Sequence, residues 1–168
     1  LTTTSVANTQ VGGNYTFGGS RTDQKPVTVT TLADLAALPT PADAFQNDDF
    51  IARAQVSEGT KMDYGLTANQ VAEPIFSCLS AFAQFNQGPD GNMGQGQLST
   101  QQRDFLQGLL NSLDDASQSV QSLQVGNGLS LNRLDEIMKQ QQAHTTYLET
   151  FISDIEDVDI ASAVTRLQ

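Results

Sequence analysis

The stretch Leu129 to Gln168, LSLNRLDEIMKQQQAHTTYLETFISDIEDVDIASAVTRLQ, decides how the rest of the chain is read. It holds neither proline nor glycine, so nothing inside it forbids an unbroken helix of about forty residues, roughly 60 Å long. Leu131, Leu134, Met138, Gln141, Thr145, Leu148, Ile152 and Ile155 recur at alternating steps of three and four, and Ile137, His144, Phe151 and Val158 widen the stripe to one side. A helix this long with such a seam needs a helical partner, and reads as coiled coil or long bundle.

Upstream, two polar turns announce further helices. Thr67-Ala68-Asn69-Gln70 has the spacing of a capping box, followed by Val71, Ile75, Phe76, Leu79, Phe82, Ala83 and Phe85 at helical period up to Gly88-Pro89. Pro74 is tolerable there if it falls in or near the first turn. Ser99-Thr100-Gln101-Gln102 is a second capping box, opening a helix with Phe105, Leu106, Leu109, Leu110, Leu113, Val120 and Leu123 on one side. Helices are therefore expected at about 69–87, 100–125 and 129–168, with Gly126-Asn127-Gly128 either separating the last two or spanned by one helix at modest cost.

Nearer the start the period changes. Ile51 to Val56 and Lys61 to Leu66 alternate on either side of Ser57-Glu58-Gly59-Thr60, which predicts a β-hairpin. Val27 to Thr31 favours an extended strand, and a lone hairpin should either join it or lie on a helix. Leu32 to Leu38 fits a helical turn or two before Pro39 and Pro41, and Leu1 to Gln10 fits the end of a helix stopping at Gly12-Gly13. The fold class read from these periods is α+β: a coiled-coil-like long-helix bundle with a smaller, hairpin-containing outer part. Its expected divisions are 1–19, the end of a rod helix and a turn; 20–66, a β-rich outer part; and 67–168, the helical rod.

Composition narrows the function. Nineteen acidic against eight basic residues give a formal net charge of -11, which disfavours nucleic acid and anionic membrane because phosphate binding needs a basic patch. No run of apolar residues is long enough for a membrane span, and no charged start with an apolar core marks a secretory leader. One cysteine, Cys78, and one histidine, His144, leave no disulfide framework and no cysteine–histidine metal set. Cys78 reads as a small buried hydrophobe and His144 as a packed or interface residue. The carboxylates Asp114-Asp115 and Asp154, Glu156, Asp157 and Asp159 point in different directions on a helix and stay solvated, unlike a pair facing each other across a cleft. Asn14-Tyr15-Thr16 matches a glycosylation pattern without a secretory context, and Asp90-Gly91-Asn92 lacks the further ligands of a calcium loop. No catalytic residue, cofactor or metal is expected. The chain opens at Leu1 within a polar, helix-compatible stretch, which reads as an excised fragment of a longer polypeptide.

Four segments, in order, carry a resemblance. Ile152 to Leu167, with a serine, a short acidic run and then Asp159-Ile160-Ala161 leading to Thr165-Arg166-Leu167, resembles the C-terminal helix signature of bacterial flagellins and the related hook-associated protein 3. Asn132-Arg133-Leu134-Asp135 resembles the family's N-R-L/F-D element. Gly13-Asn14-Tyr15-Thr16-Phe17-Gly18-Gly19-Ser20-Arg21-Thr22-Asp23 is similar to the G-N-Y-x-F-x-G-T-x-T-D segment of hook-associated protein 3. Tyr64-Gly65-Leu66-Thr67-Ala68 resembles the Y-G-V-x-A run before a helix.

The resemblance implies a structural subunit of the bacterial flagellum, extracellular and exported unfolded through the flagellar type III apparatus. The junction protein between hook and filament is the first reading and a filament subunit the second, with an adhesive or ligand-binding module of a secreted coiled-coil protein as a different class. Implied partners are other flagellar subunits and an export chaperone, with neither nucleic acid nor membrane. The family carries terminal polymerising helices that this fragment would lack, leaving it unable to assemble alone. Candidate subunit-interface residues are Asp154, Glu156, Asp157, Asp159, Arg166, Leu134, Leu148 and Ile152.

Overall fold

The computed structural model describes residues 1–57, 59–91 and 96–167, with side chains described up to residue 155. The fold is α+β. In chain order come α1 (Thr2–Ala7), β1 (Gln10–Val11), β2 (Asn14–Tyr15), α2 (Leu32–Ala36), a 3₁₀ turn (Pro41–Ala44), β3 (Ala52–Ser57), β4 (Thr60–Tyr64), α3 (Ala68–Gln87) and α4 (Thr100–Leu167).

The core sits at one end, beneath the first half of α3. Phe76, Leu35, Val27, Ala44, Ala68 and Ala72 are fully or almost fully buried there, with Phe45 stacked on Phe76 at a ring-centroid distance of 5.4 Å. The chain from Phe17 to Phe50 wraps this core without forming a sheet. Asn8 clamps Val27 through two bonds, its Nδ2 donating to the Val27 carbonyl at 2.9 Å and its Oδ1 accepting from the Val27 amide at 3.0 Å. That clamp does locally what a strand would do. Val27 pairs with Phe45 only as an isolated bridge, flanked by Thr28 N–H to Ala44 O and Gln46 N–H to Pro26 O.

The β-rich outer part expected over 20–66 is therefore mostly irregular wrapping with one hairpin. Thr28 to Thr31 is not a strand, because Asp34 takes the Thr30 and Thr31 amides into a capping box instead. The hairpin itself forms, Ala52 pairing with Tyr64 and Ala54 with Met62, with an irregularity between Gln55 and Ser57 and Gly59 at φ +75° in the turn. It lies on a helix rather than joining Val27: Gln141 Nε2 of α4 donates to the Val56 carbonyl at 2.8 Å.

Two helix ends differ from expectation. α1 stops at Ala7 rather than reaching Gln10, since Gln10–Val11 turns back on Asn14–Tyr15 across Gly12 and Gly13, both at positive φ. Pro74 lies in the second turn of α3, so Gln70 O loses its helical partner, and α3 continues because one face of it is buried in the core. The capping box at Thr67 forms by halves: Gln70 Oε1 accepts from the Thr67 amide at 3.2 Å, while Thr67 Oγ1 is buried without a partner.

The main correction concerns the rod. Instead of helices at 100–125 and 129–168, one helix of 68 residues runs from Thr100 to Leu167, about 100 Å long. Ser99 and Gln102 cap it reciprocally at 3.1 and 3.0 Å. Gly126 and Gly128 are spanned, as neither has a positive φ, and each interior glycine costs only about 1 kcal/mol against alanine. The first part of α4 packs on α3, with Phe105 stacked on Phe85 at 3.8 Å and Ala116 buried.

Candidate assembly surface

Because α3 begins only at Ala68 and runs against α4, its cover ends near Val120, where Ile75 still faces Leu113, Ala116 and Val120 across a shallow groove. Beyond that point the hairpin takes over. Its base, Asp63 to Leu66, lies beside Ser122, Gly126 and Ser130, and its bulged end meets Gln141. From Met138 to Ile155 every residue of α4 is exposed.

The helix nonetheless carries its apolar stripe through this bare region. Leu131, Met138, Tyr147, Phe151, Ile152 and Ile155 are each more than half exposed. Tyr147 and Phe151, one turn apart, bring their rings within 6.5 Å on the open surface. Apolar groups repeated over several turns and left in water are the mark of an interaction face rather than of scattered surface residues.

The structure brings only some of the expected interface residues together on this arm. Leu148 and Ile152 are 43% and 55% exposed on consecutive turns of the face. Leu134 is half-buried in the part of α4 nearer the hairpin, and Asp154 is exposed. Glu156, Asp157, Asp159 and Arg166 lie on α4, but their side chains fall outside the described residues. Sequence reasoning placed Met138, Phe151 and Ile155 in the stripe without naming them as contact residues. It missed Tyr147, which its position between Thr146 and Leu148, off the main seam, made hard to find.

A second apolar surface lies at the other end of the hairpin. Val11, Phe50 and Tyr64 are 69%, 57% and 54% exposed around an open cleft of about 340 Å³ that also touches Tyr15 and Thr16. Its walls are set by the turn between β2 and the wrapping segment. Asp48 holds that turn by accepting from the Ser20 amide at 2.8 Å, from the Ser20 hydroxyl and from the Phe50 amide. The Ser20 hydroxyl bond, then the Ser20 amide, keep the Asp48 carboxyl below its usual range. Gly19 is required here, at φ +66°, since a Cβ would run into Asp48.

Elsewhere the chemistry is quiet. Cys78 is buried against α4 and burial pushes its thiol up, the setting of an inert cysteine. Among the described residues no group of three or more His, Cys, Asp or Glu is placed to hold a metal ion, and no described helix is long and apolar enough to cross a membrane.

Residues 110–168 match the family model described as the bacterial flagellin C-terminal helical region. The matched segment is the greater part of α4, including the whole of the bare arm, and it is to that region of the flagellins that this part of the chain is similar. Neither the curated proteins nor the solved structures yielded a significant match.

Proposed function

We propose that this chain is a packing subunit of the hook–filament junction, similar to hook-associated protein 3, and that it works by assembly rather than catalysis. The observation that carries the reading is an exposed, apolar helical arm lying within the segment that matches the flagellin C-terminal region. The junction, in place of the filament, is favoured by the Gly13 to Asp23 segment. That segment is a built turn: Tyr15 N–H bonds Thr22 O at 2.8 Å, and Phe17 O accepts the Ala68 amide that starts α3. A filament flagellin is the second reading, favoured by the description of the matching family model itself.

In either setting the arm packs on helices of neighbouring flagellar subunits outside the cell. Before assembly the same apolar face is what an export chaperone would cover during type III export. Neither nucleic acid nor an anionic membrane surface enters this reading, since a net charge of -11 disfavours both.

The deciding experiment uses the full product of the gene. Added to filament seeds or a precipitating salt and viewed by electron microscopy, it should stay unpolymerised yet restore filament attachment to the hook in a deletion strain. Long filaments grown from the protein alone would make it a flagellin, and failure of both assays would overturn the flagellar assignment.

A further inference from the structure

The turn Gly126-Asn127-Gly128-Leu129-Ser130 lies inside α4 at the point where cover passes from α3 to the hairpin. Two of its residues are glycines that no contact requires. A Cβ built on Gly126 or on Gly128 would meet nothing within 4 Å, and neither residue has a positive φ. Glycine here only enlarges the freedom of the unwound state. Asn127 between them is exposed and a weak helix former, so three successive positions disfavour the helix.

Side-chain bonds add to the effect. Ser130 Oγ donates to the Gly126 carbonyl at 3.1 Å, and Ser122 Oγ to the Gln118 carbonyl at 2.9 Å, so serines back-bond on either side of the glycine turn. Such bonds loosen and bend helices. Gly108, the other glycine of α4, differs because it lies between Phe105, stacked on Phe85, and Leu109, which faces α3. Gly126 has the hairpin base, Asp63 to Leu66, alongside it, but among the described residues no aromatic stack pins this turn to a neighbour.

From this we infer that residues 126–130 are a hinge. α4 opens there, and the distal arm swings relative to the part of α4 packed on α3. The hinge is a property of the helix and does not depend on the flagellar reading. If that reading holds, the hinge lets one subunit meet neighbours at more than one angle.

Hydrogen exchange followed by mass spectrometry on the whole chain tests it. Amides of residues 127–132 should exchange at least tenfold faster than those of 112–120, braced by α3, and of 133–140, beside the hairpin. Gly126→Ala with Gly128→Ala should slow exchange at 127–132 by roughly 30-fold while leaving the Val27 to Phe45 core unchanged. Equal protection across the three segments, or no response to the alanines, overturns the hinge. Spin labels at Asn111→Cys and Gln140→Cys, in a Cys78→Ser background, give an independent reading. A straight helix sets them about 43 Å apart. The parent should show a broad distribution reaching shorter distances, sharpening to the straight-helix value in the double-alanine variant, and a narrow distribution in both proteins again overturns the proposal.

Discussion

Asp34 shows how much of the wrapping segment rests on single side chains. Its carboxylate accepts from the amides of Thr31 and Thr30 and from the Thr30 hydroxyl, and Thr31 Oγ1 accepts from its amide in return. The Thr31 amide bond is the largest cause that lowers its pKa from 3.8 to about 2. A carboxyl held below its unfolded value stabilises the fold above that value, and the contribution disappears as pH falls through the folded one. Thermal melting followed from pH 5 to pH 2 should therefore show a loss of stability between about pH 4 and about pH 2 that is smaller in Asp34→Asn. Identical acid profiles in the two proteins would count against the capping role. Phe76 makes a larger claim at the same scale. It is wholly buried and stacked on Phe45, so Phe76→Ala should cost about 3–5 kcal/mol in urea unfolding, through lost transfer energy and the cavity left behind.

Among the elements, what was legible in the sequence follows from which forces hold each one. α3 and the start of α4 could be read because burial imposes a period and caps impose spacing, and the Ser99–Gln102 box forms in full. The hairpin could be read because alternation around Gly59 has few other meanings. In the 17–50 stretch only the helical turn expected at Leu32 to Leu38 was legible, forming as Leu32–Ala36, since Asn8 to Val27 and Asp48 to Ser20 are pairings of one side chain with a distant backbone, and neither leaves a period. Its two small turns did leave a signal that went unused: Thr31-Leu32-Ala33-Asp34 and Thr40-Pro41-Ala42-Asp43 both have capping-box spacing. Of the two readings open at Gly126 to Gly128, a break between helices or one helix spanning them, the second holds, because a local cost of about 1 kcal/mol per glycine does not end a helix continued on both sides. The pairing of α3 with α4 gives the prediction at this scale. Phe105→Ala removes the stack on Phe85, and hydrogen exchange over residues 101–108 should then accelerate while the Phe76 core stays protected. Acceleration spread evenly over both regions would mean that the two helices and the core unfold as one unit.

At the scale of the whole molecule, stability and assembly are kept in different places. The core is confined to Ala7, Val27, Val29, Leu35, Ala44 and the first half of α3, while the apolar face of the arm touches none of it. The sequence made that face visible as a stripe needing a partner, but burial within the chain could not be separated from burial between chains until the structure left it bare. Substitution at the two sites should therefore separate the two properties. Exposed residues contribute little to unfolding free energy, so Phe151→Ser with Ile152→Ser should change it by no more than about 0.5 kcal/mol per site. Assembly should fail in the same variant, because interfaces depend on a few buried apolar anchors. The comparison is made with two measurements on each protein: the urea midpoint, and restoration of filament attachment in a deletion strain. An unchanged midpoint with attachment lost places the interface on the arm. Attachment retained at normal levels removes the arm from the interface and turns attention to the cleft framed by Val11, Phe50 and Tyr64. A midpoint lowered as far as in Phe76→Ala would instead mean that the arm packs against its own chain in solution, and that the separation of body from arm does not hold.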